Sequence, residues 1–163
     1  MRLSQLYISN FRCFAETTVF FDDYTCLVGP NGAGKSTVLT ALNVLFRETQ
    51  SSVTDTLNLA REDFHLSDTS KPIKIAATFD QLSQEAQEDF KDYFRNGKLV
   101  ISAVAEWNEE TQKAPVFQYG ERLGIEEFRI YFEMDKAGAK AQELQQVYDE
   151  LRKKYNDRIC LAC

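Results

Sequence analysis

The sequence predicts an α/β fold in which a phosphate-binding loop joins a strand to a helix and a mostly antiparallel β-section follows. Val28 to Thr37 reads VGPNGAGKST, a glycine-rich loop closed by Lys-Ser-Thr. It lies between a short β-rich run, Tyr24-Thr25-Cys26-Leu27-Val28, and residues 38–46, whose apolar side chains recur at helical spacing. Beyond them, residues 73–79, 98–107 and 114–119 read as strands without the regular strand-helix alternation of a parallel sheet.

In chain order, LSQLYISNF gives a first strand through Leu3, Leu6, Ile8 and Phe11, and residues 17–21 (TTVFF) give a second. The two are expected to form a hairpin-like unit beside the strand that feeds the loop, where Cys26 should be buried. The loop at 29–37 fills the spacing G-x-x-x-x-G-K-[ST] with Gly29, Gly34, Lys35 and Ser36, and adds Gly32. At average residue usage, a chance match in a chain of this length has a probability on the order of 1%. Glycine permits the positive φ that turns successive N–H groups toward one point. The following helix adds unpaired N–H groups and the positive end of its dipole. Such a nest suits a polyphosphate. Asn31, Gly32, Ala33 and Gly34 would form the cradle, and Lys35 would reach the β- and γ-phosphate oxygens. The Ser36 hydroxyl is expected to be a ligand for the Mg²⁺ that bridges them, with Thr37 placed to donate to the α-phosphate.

Residues 48–58 (ETQSSVTDTLN) have the polar, Ser- and Thr-rich composition of a surface loop. A strand follows through Ile73 to Phe79, then a helix from about Ser83 to Phe94 and a turn at Asn96-Gly97. KLVISAVAEW is the clearest strand, and it should pair with residues 114–119 across a turn near Asn108 to Glu110. From Ala137 to Tyr155 the spacing is that of a long helix, with Leu144, Val147, Tyr148 and Leu151 on the face that packs. Asp149 and Glu150 ahead of Lys153 and Lys154 fit its solvated side.

At 163 residues the chain can bury one real core and is short for two domains of ordinary size. No apolar run approaches the roughly 20 residues that span a bilayer. Met-Arg-Leu-Ser-Gln-Leu is no secretion signal, so a cytoplasmic location and no membrane partner are expected. A formal charge of −6 argues against this segment alone gripping nucleic-acid phosphates; DNA is expected only through other domains or a partner. Cys160 and Cys163 form a C-x-x-C that could hold half a zinc site or be redox-active, but Cys13 and Cys26 do not repeat the spacing. A structural zinc site wants four well-placed ligands. The one histidine, His65, rules out a site built on several and is expected in a loop. The tail, 158–163, should be loosely held.

At LYISNFRCF, followed by YTCLVGPNGAGKSTVLTALNVLF, the chain resembles the ATPase heads of SMC and RecF proteins, and especially the OLD (overcoming lysogenization defect) family of ATP-dependent nucleases. The I-x-N-F-R phrase and the G-P-N-G-A-G-K-S-T wording are common to all these heads. REDFH and IKIAATFDQLSQEAQEDF lean towards OLD. The resemblance implies a P-loop NTPase of the ABC/SMC/RecF-like head type, with ATP and Mg²⁺ as cofactors. It implies too a homo-oligomer or partner chain that closes over each nucleotide, a separate nuclease domain that cuts DNA, and a role in anti-phage defence. Arg12 stands in the family phrase, where its guanidinium could stack on adenine, meet a phosphate or make an ordinary surface salt bridge.

Some family motifs are missing from these residues. No apolar strand ends in Asp-Glu; Ala76 to Asp80 comes nearest, with Gln81 in place of the Glu. There is no L-S-G-G-like signature and no N-K-x-D guanine reader, and DKAG at Asp135 to Gly138 follows Glu133 and only imitates a GTPase motif. The chain is therefore expected to be the incomplete N-terminal part of an ABC-type ATPase domain, truncated or naturally short, with no catalytic residues assigned. Two alternatives stand beside it: a RecF- or SMC-like repair ATPase fragment, and an ATP-binding regulatory module completed by a partner.

Overall fold

Alternating apolar residues build the first strand, β1 (Arg2–Phe11), which buries Leu6 and Ile8 completely. It turns at Arg12-Cys13 into β2 (Phe14–Phe20), with Leu6 opposite Val19 and Ile8 opposite Thr17. The computed structural model describes residues 1–50, 54–121, 131, 134, 138 and 141–154. The chain divides into two compact units, Met1–Arg122 and Leu123–Cys163.

In the first unit, α1 (Lys35–Phe46) follows the glycine loop and β3 (Asn58–Leu59) the polar stretch. Two short 3-10 turns, Arg61–Asp63 and His65–Ser67, lead into β4 (Ile73–Asp80). The helix α2 (Gln84–Asp89), β5 (Leu99–Ala105) and β6 (Ala114–Glu121) complete the unit. The six strands lie in the order β2-β1-β4-β5-β6-β3, antiparallel throughout. The expected antiparallel β-section is thus one continuous sheet that includes the first hairpin. Val38, Ala41, Val44 and Leu45 of α1 share one core with Leu6, Ile8, Ile75, Ala77, Leu99 and Ala103. Each large aliphatic side chain so buried contributes roughly 1.5–3 kcal/mol.

Two elements differ from expectation. Residues 24–28 form no strand; Tyr24 and Val28 are 86% and 87% exposed, and Cys26 is exposed instead of buried. A helix closes its own hydrogen bonds, whereas a strand exists only beside a partner. Among the described strands none runs alongside this segment, so its β propensity goes unused. The helix expected over 83–94 ends at Asp89: Ser83 caps it by accepting from the Ala86 N–H, but it buries no residue. Of residues 84–89 only Ala86 packs against the core, and a short helix with so little packed surface does not propagate. The chain then turns and reverses at Asn96-Gly97, both at positive φ, into the strand pair that was expected.

The second unit contains α3 (Ala141–Lys154), within the expected helix. Leu144, Val147, Tyr148 and Leu151 are half-buried, and Glu143, Gln145, Gln146, Asp149 and Glu150 are exposed. The rings of Tyr131 and Tyr148 meet at 6.0 Å. Cys160, Cys163, the tail at 158–163 and Asp135 of DKAG lie outside the described residues. No described helix is long and apolar enough to cross a membrane.

Candidate nucleotide-binding site

The loop from Gly29 to Gly34 arrives at α1 with Gly32 at φ 86° and Gly34 at φ 94°, conformations that glycine adopts without strain. A side chain on Gly34 would strike Phe14, whose Cζ lies 2.4 Å from the Cβ position; at Gly32 the corresponding space is empty. Gly34 is the N-cap residue of α1, and no side chain caps the helix. The N–H groups of its first turn, which have no intrahelical acceptor, are therefore left to an anion. Lys35 folds back along the loop, its Nζ donating to the carbonyls of Gly29 at 2.7 Å and Pro30 at 2.8 Å. An ammonium has three N–H donors, so these two bonds fix the charge over the loop and leave a third for a ligand.

Asn31, Gly32, Ala33 and Ser36 are exposed, and Thr37 is buried, its hydroxyl accepting from the Cys13 thiol at 3.4 Å. The loop fits a polyphosphate on two counts: an uncapped helix and a cation already drawn over it. Among the described residues no group of three or more His, Cys, Asp or Glu could hold a metal ion. Mg²⁺ would therefore depend on the Ser36 hydroxyl and on oxygens that the ligand brings.

Beneath the loop lies a structure that sequence reading did not foresee. Asn10, Phe11 and Arg12, consecutive residues at the end of β1, all bond to the segment 63–71. Asn10 Nδ2 donates to the carbonyls of Asp68 and Lys71 at 3.0 and 2.8 Å. Phe11 bridges to Phe64, whose ring meets Trp107 edge-on at 5.9 Å. Arg12 donates its backbone N–H to the Asp63 carbonyl at 2.8 Å and its Nε to the Asp63 carboxylate at 2.9 Å. His65 returns a bond from Nδ1 to the Arg12 carbonyl at 2.8 Å, so it sits in a 3-10 turn with a fixed task. Arg12 holds φ 50°, a left-handed conformation that costs an L-residue about 1–2 kcal/mol and persists because these bonds over-determine it. The phrases N-F-R and R-E-D-F-H are therefore two halves of one bonded module.

Asp80, the nearest imitation of a magnesium-assisting aspartate, lies elsewhere. Both its oxygens accept from Arg2, at 3.0 Å each, and this pairing holds the carboxyl below its ordinary value. Its neighbour Phe79 meets Phe46, the last residue of α1. The strand therefore reaches α1 at its C-terminal end, ten residues and about 15 Å of helix from Ser36, and Asp80 follows Phe79 there. Glu121 is also perturbed: burial pushes it up, but hydrogen bonds from Lys74 and Ser102 outweigh that and hold it below its ordinary value. Both acids are committed to cross-strand pairing.

A family model described as AAA ATPase domain matches residues 1–159. The Old nuclease of Escherichia phage P2 is 29% identical over 122 residues, covering 70% of this chain and 19% of that protein. An OLD nuclease of Thermus scotoductus is 36% identical over 80 residues, 48% of this chain and 14% of that one. Endonuclease GajA of Bacillus cereus is 33% identical over 91 residues, 56% of this chain and 15% of that protein. The aligned part thus spans less than a fifth of the length of each of these relatives. A glycine loop with its lysine drawn over it, set before an uncapped helix, and a family model that runs almost the whole length lead to one conclusion: the chain belongs to the AAA ATPase domain family and is similar to the OLD nucleases.

Proposed function

We propose that this chain binds ATP·Mg²⁺ at residues 29–37 and serves as the nucleotide-binding part of an OLD-like, ATP-dependent DNA endonuclease acting in anti-phage defence. The observation that carries the reading is the geometry of Lys35 over the loop, beside the open N-terminus of α1. Relatives named as nucleases supply the direction of the rest. Asn31 to Thr37 cradle the phosphates, Lys35 supplies a point charge to the β- and γ-oxygens, and Ser36 offers its hydroxyl to the metal. Bound Mg²⁺ offsets phosphate charge. Arg12 supports the loop from below, bonded to Thr40 of α1.

Hydrolysis asks more than phosphate binding, because an attacking water must be oriented and charge on the γ-phosphate stabilised. No Asp-Glu pair ends a strand in these residues, and Asp80 is held by Arg2 at the far end of α1. A second head, from another copy or a partner chain, would complete the site, and DNA would be met through other domains.

Calorimetry on the chain and on Lys35→Ala tests the site. The parent is expected to bind ATP·Mg²⁺ weakly and the variant at least about tenfold more weakly, the loss of a charge-assisted contact. Equal binding would overturn the assignment. The chain alone is expected to hydrolyse ATP no faster than Lys35→Ala and to cut no DNA; Lys35-dependent turnover by the pure chain would show that it carries its own catalytic carboxylate.

A further inference from the structure

We propose that Arg12 is a positioning residue for the phosphate loop: backed by Asp63, it holds the first two turns of α1 through Thr40 and does not itself meet the nucleotide. The inference rests on the nucleotide site proposed above and assigns that site a support it was not known to need. All three guanidinium nitrogens of Arg12 are engaged. Nε donates to Asp63 Oδ1 at 2.9 Å, Nη1 to Thr40 Oγ1 at 3.3 Å and Nη2 to Thr54 Oγ1 at 2.6 Å. The Thr40 hydroxyl, while accepting from Arg12, donates to the Ser36 carbonyl at 2.8 Å. The relay therefore ends on the backbone of the residue whose hydroxyl is offered to the metal.

Its anchor is firm. Asp63 has a side chain only 7% exposed, and its second oxygen accepts from the Ala60 N–H at 3.1 Å. Two more struts rise from the same turn: the Cys13 thiol donates to Thr37, and the Phe14 ring fills the space beside Gly34. A guanidinium neutralised by a buried carboxylate offers little charge to a phosphate, but its fixed fork suits it to hold a helix.

The two roles of Arg12 differ in the sign expected for Asp63→Asn. If Arg12 met the nucleotide directly, loss of the competing carboxylate would leave affinity unchanged or raise it. If Arg12 positions α1, Asp63→Asn should weaken ATP·Mg²⁺ binding about 5- to 30-fold, as Arg12→Ala does, and the double variant should be no weaker than Arg12→Ala alone. Thr40→Val, which keeps the shape of the side chain and removes only the hydroxyl, should weaken binding with Mg²⁺ more than without it. It should also speed amide exchange at residues 38–41. Titration of each variant with ATP, with and without Mg²⁺, and hydrogen exchange on the same samples decide the matter. Asp63→Asn binding as tightly as the parent while Arg12→Ala loses affinity would overturn the proposal. If the parent bound no nucleotide, the site reading would fall by itself. The positioning inference would then be judged on exchange, and unchanged exchange in Thr40→Val would overturn it.

Discussion

At one end of β1, Arg2 pairs with Asp80 and with Asp23, and Asp23 is 90% exposed; at the other, Arg12 pairs with a buried Asp63. The residue types are the same and the physics is not. The Arg2–Asp23 pair, exposed at Asp23, is screened by water and ties little together, while the half-buried Arg2–Asp80 pair joins only the ends of β1 and β4. The Arg12 pair is bonded through backbone and side chain at once, and it braces the helix that begins at the phosphate loop. The comparison teaches that the loop is supported from its downstream side. Upstream, residues 24–28 bring the chain to Gly29 with no ladder at all.

The largest test of this contrast is Phe64→Ala. Phe64 is 1% exposed between Phe11 and Trp107, and its loss should destabilise the first unit by about 3–5 kcal/mol in denaturant titration. A loss under about 1 kcal/mol would show that the module is not part of the core. Gly34→Ala comes next: a Cβ would overlap Phe14, and φ 94° is unfavourable to any side chain. About 1–3 kcal/mol of stability should go, with most nucleotide affinity; an unchanged melting temperature would mean that the Phe14 strut is slack.

Asp80→Asn, at the Arg2 end, should matter little near neutrality. Because Arg2 lowers the Asp80 pKa below 3.8, the pair's contribution is fully present above that value and is lost as pH falls through the lowered one. The variant should therefore lose less stability than the parent on acidification below about pH 4. Parallel acid curves would remove the pair from the account. Smallest of all is Val28→Ser, expected to stay within about 0.5 kcal/mol of the parent because the side chain is already in water; a large drop would reveal burial of the approach segment.

Much of this was legible in the sequence because its signals are local. The spacing of Gly29, Gly34, Lys35 and Ser36 specified the loop, and apolar periodicity specified α1, β1, β4, β5 and β6. What was not legible depends on partners distant in the chain. Tyr24 to Val28 have strand propensity, yet pairing decides whether a strand forms. Asp80 ends an apolar strand as a metal-assisting aspartate would, but Arg2, 78 positions earlier, claims it. Asp63 and His65 stand in the REDFH phrase, but nothing in that phrase assigns them a task; only the register that brings Phe11 to Phe64 sets them against Arg12.

The absence of a cap on α1 has a thermodynamic consequence. A Ser, Thr, Asp or Asn side chain in that position would accept from a first-turn N–H and be worth roughly 0.3 kcal/mol more than the glycine that stands there, and Gly34 offers no such acceptor. The helix thus rests slightly below the stability it could have, and a phosphate held there as proposed would act as the missing cap. Ligand affinity and resting stability are then two readings of one vacant hydrogen-bonding position. Anything that fills it, inorganic pyrophosphate included, should stabilise the fold in proportion to the logarithm of its concentration, by about 2.7 kcal/mol at a hundredfold excess over Kd, and raise the melting temperature accordingly.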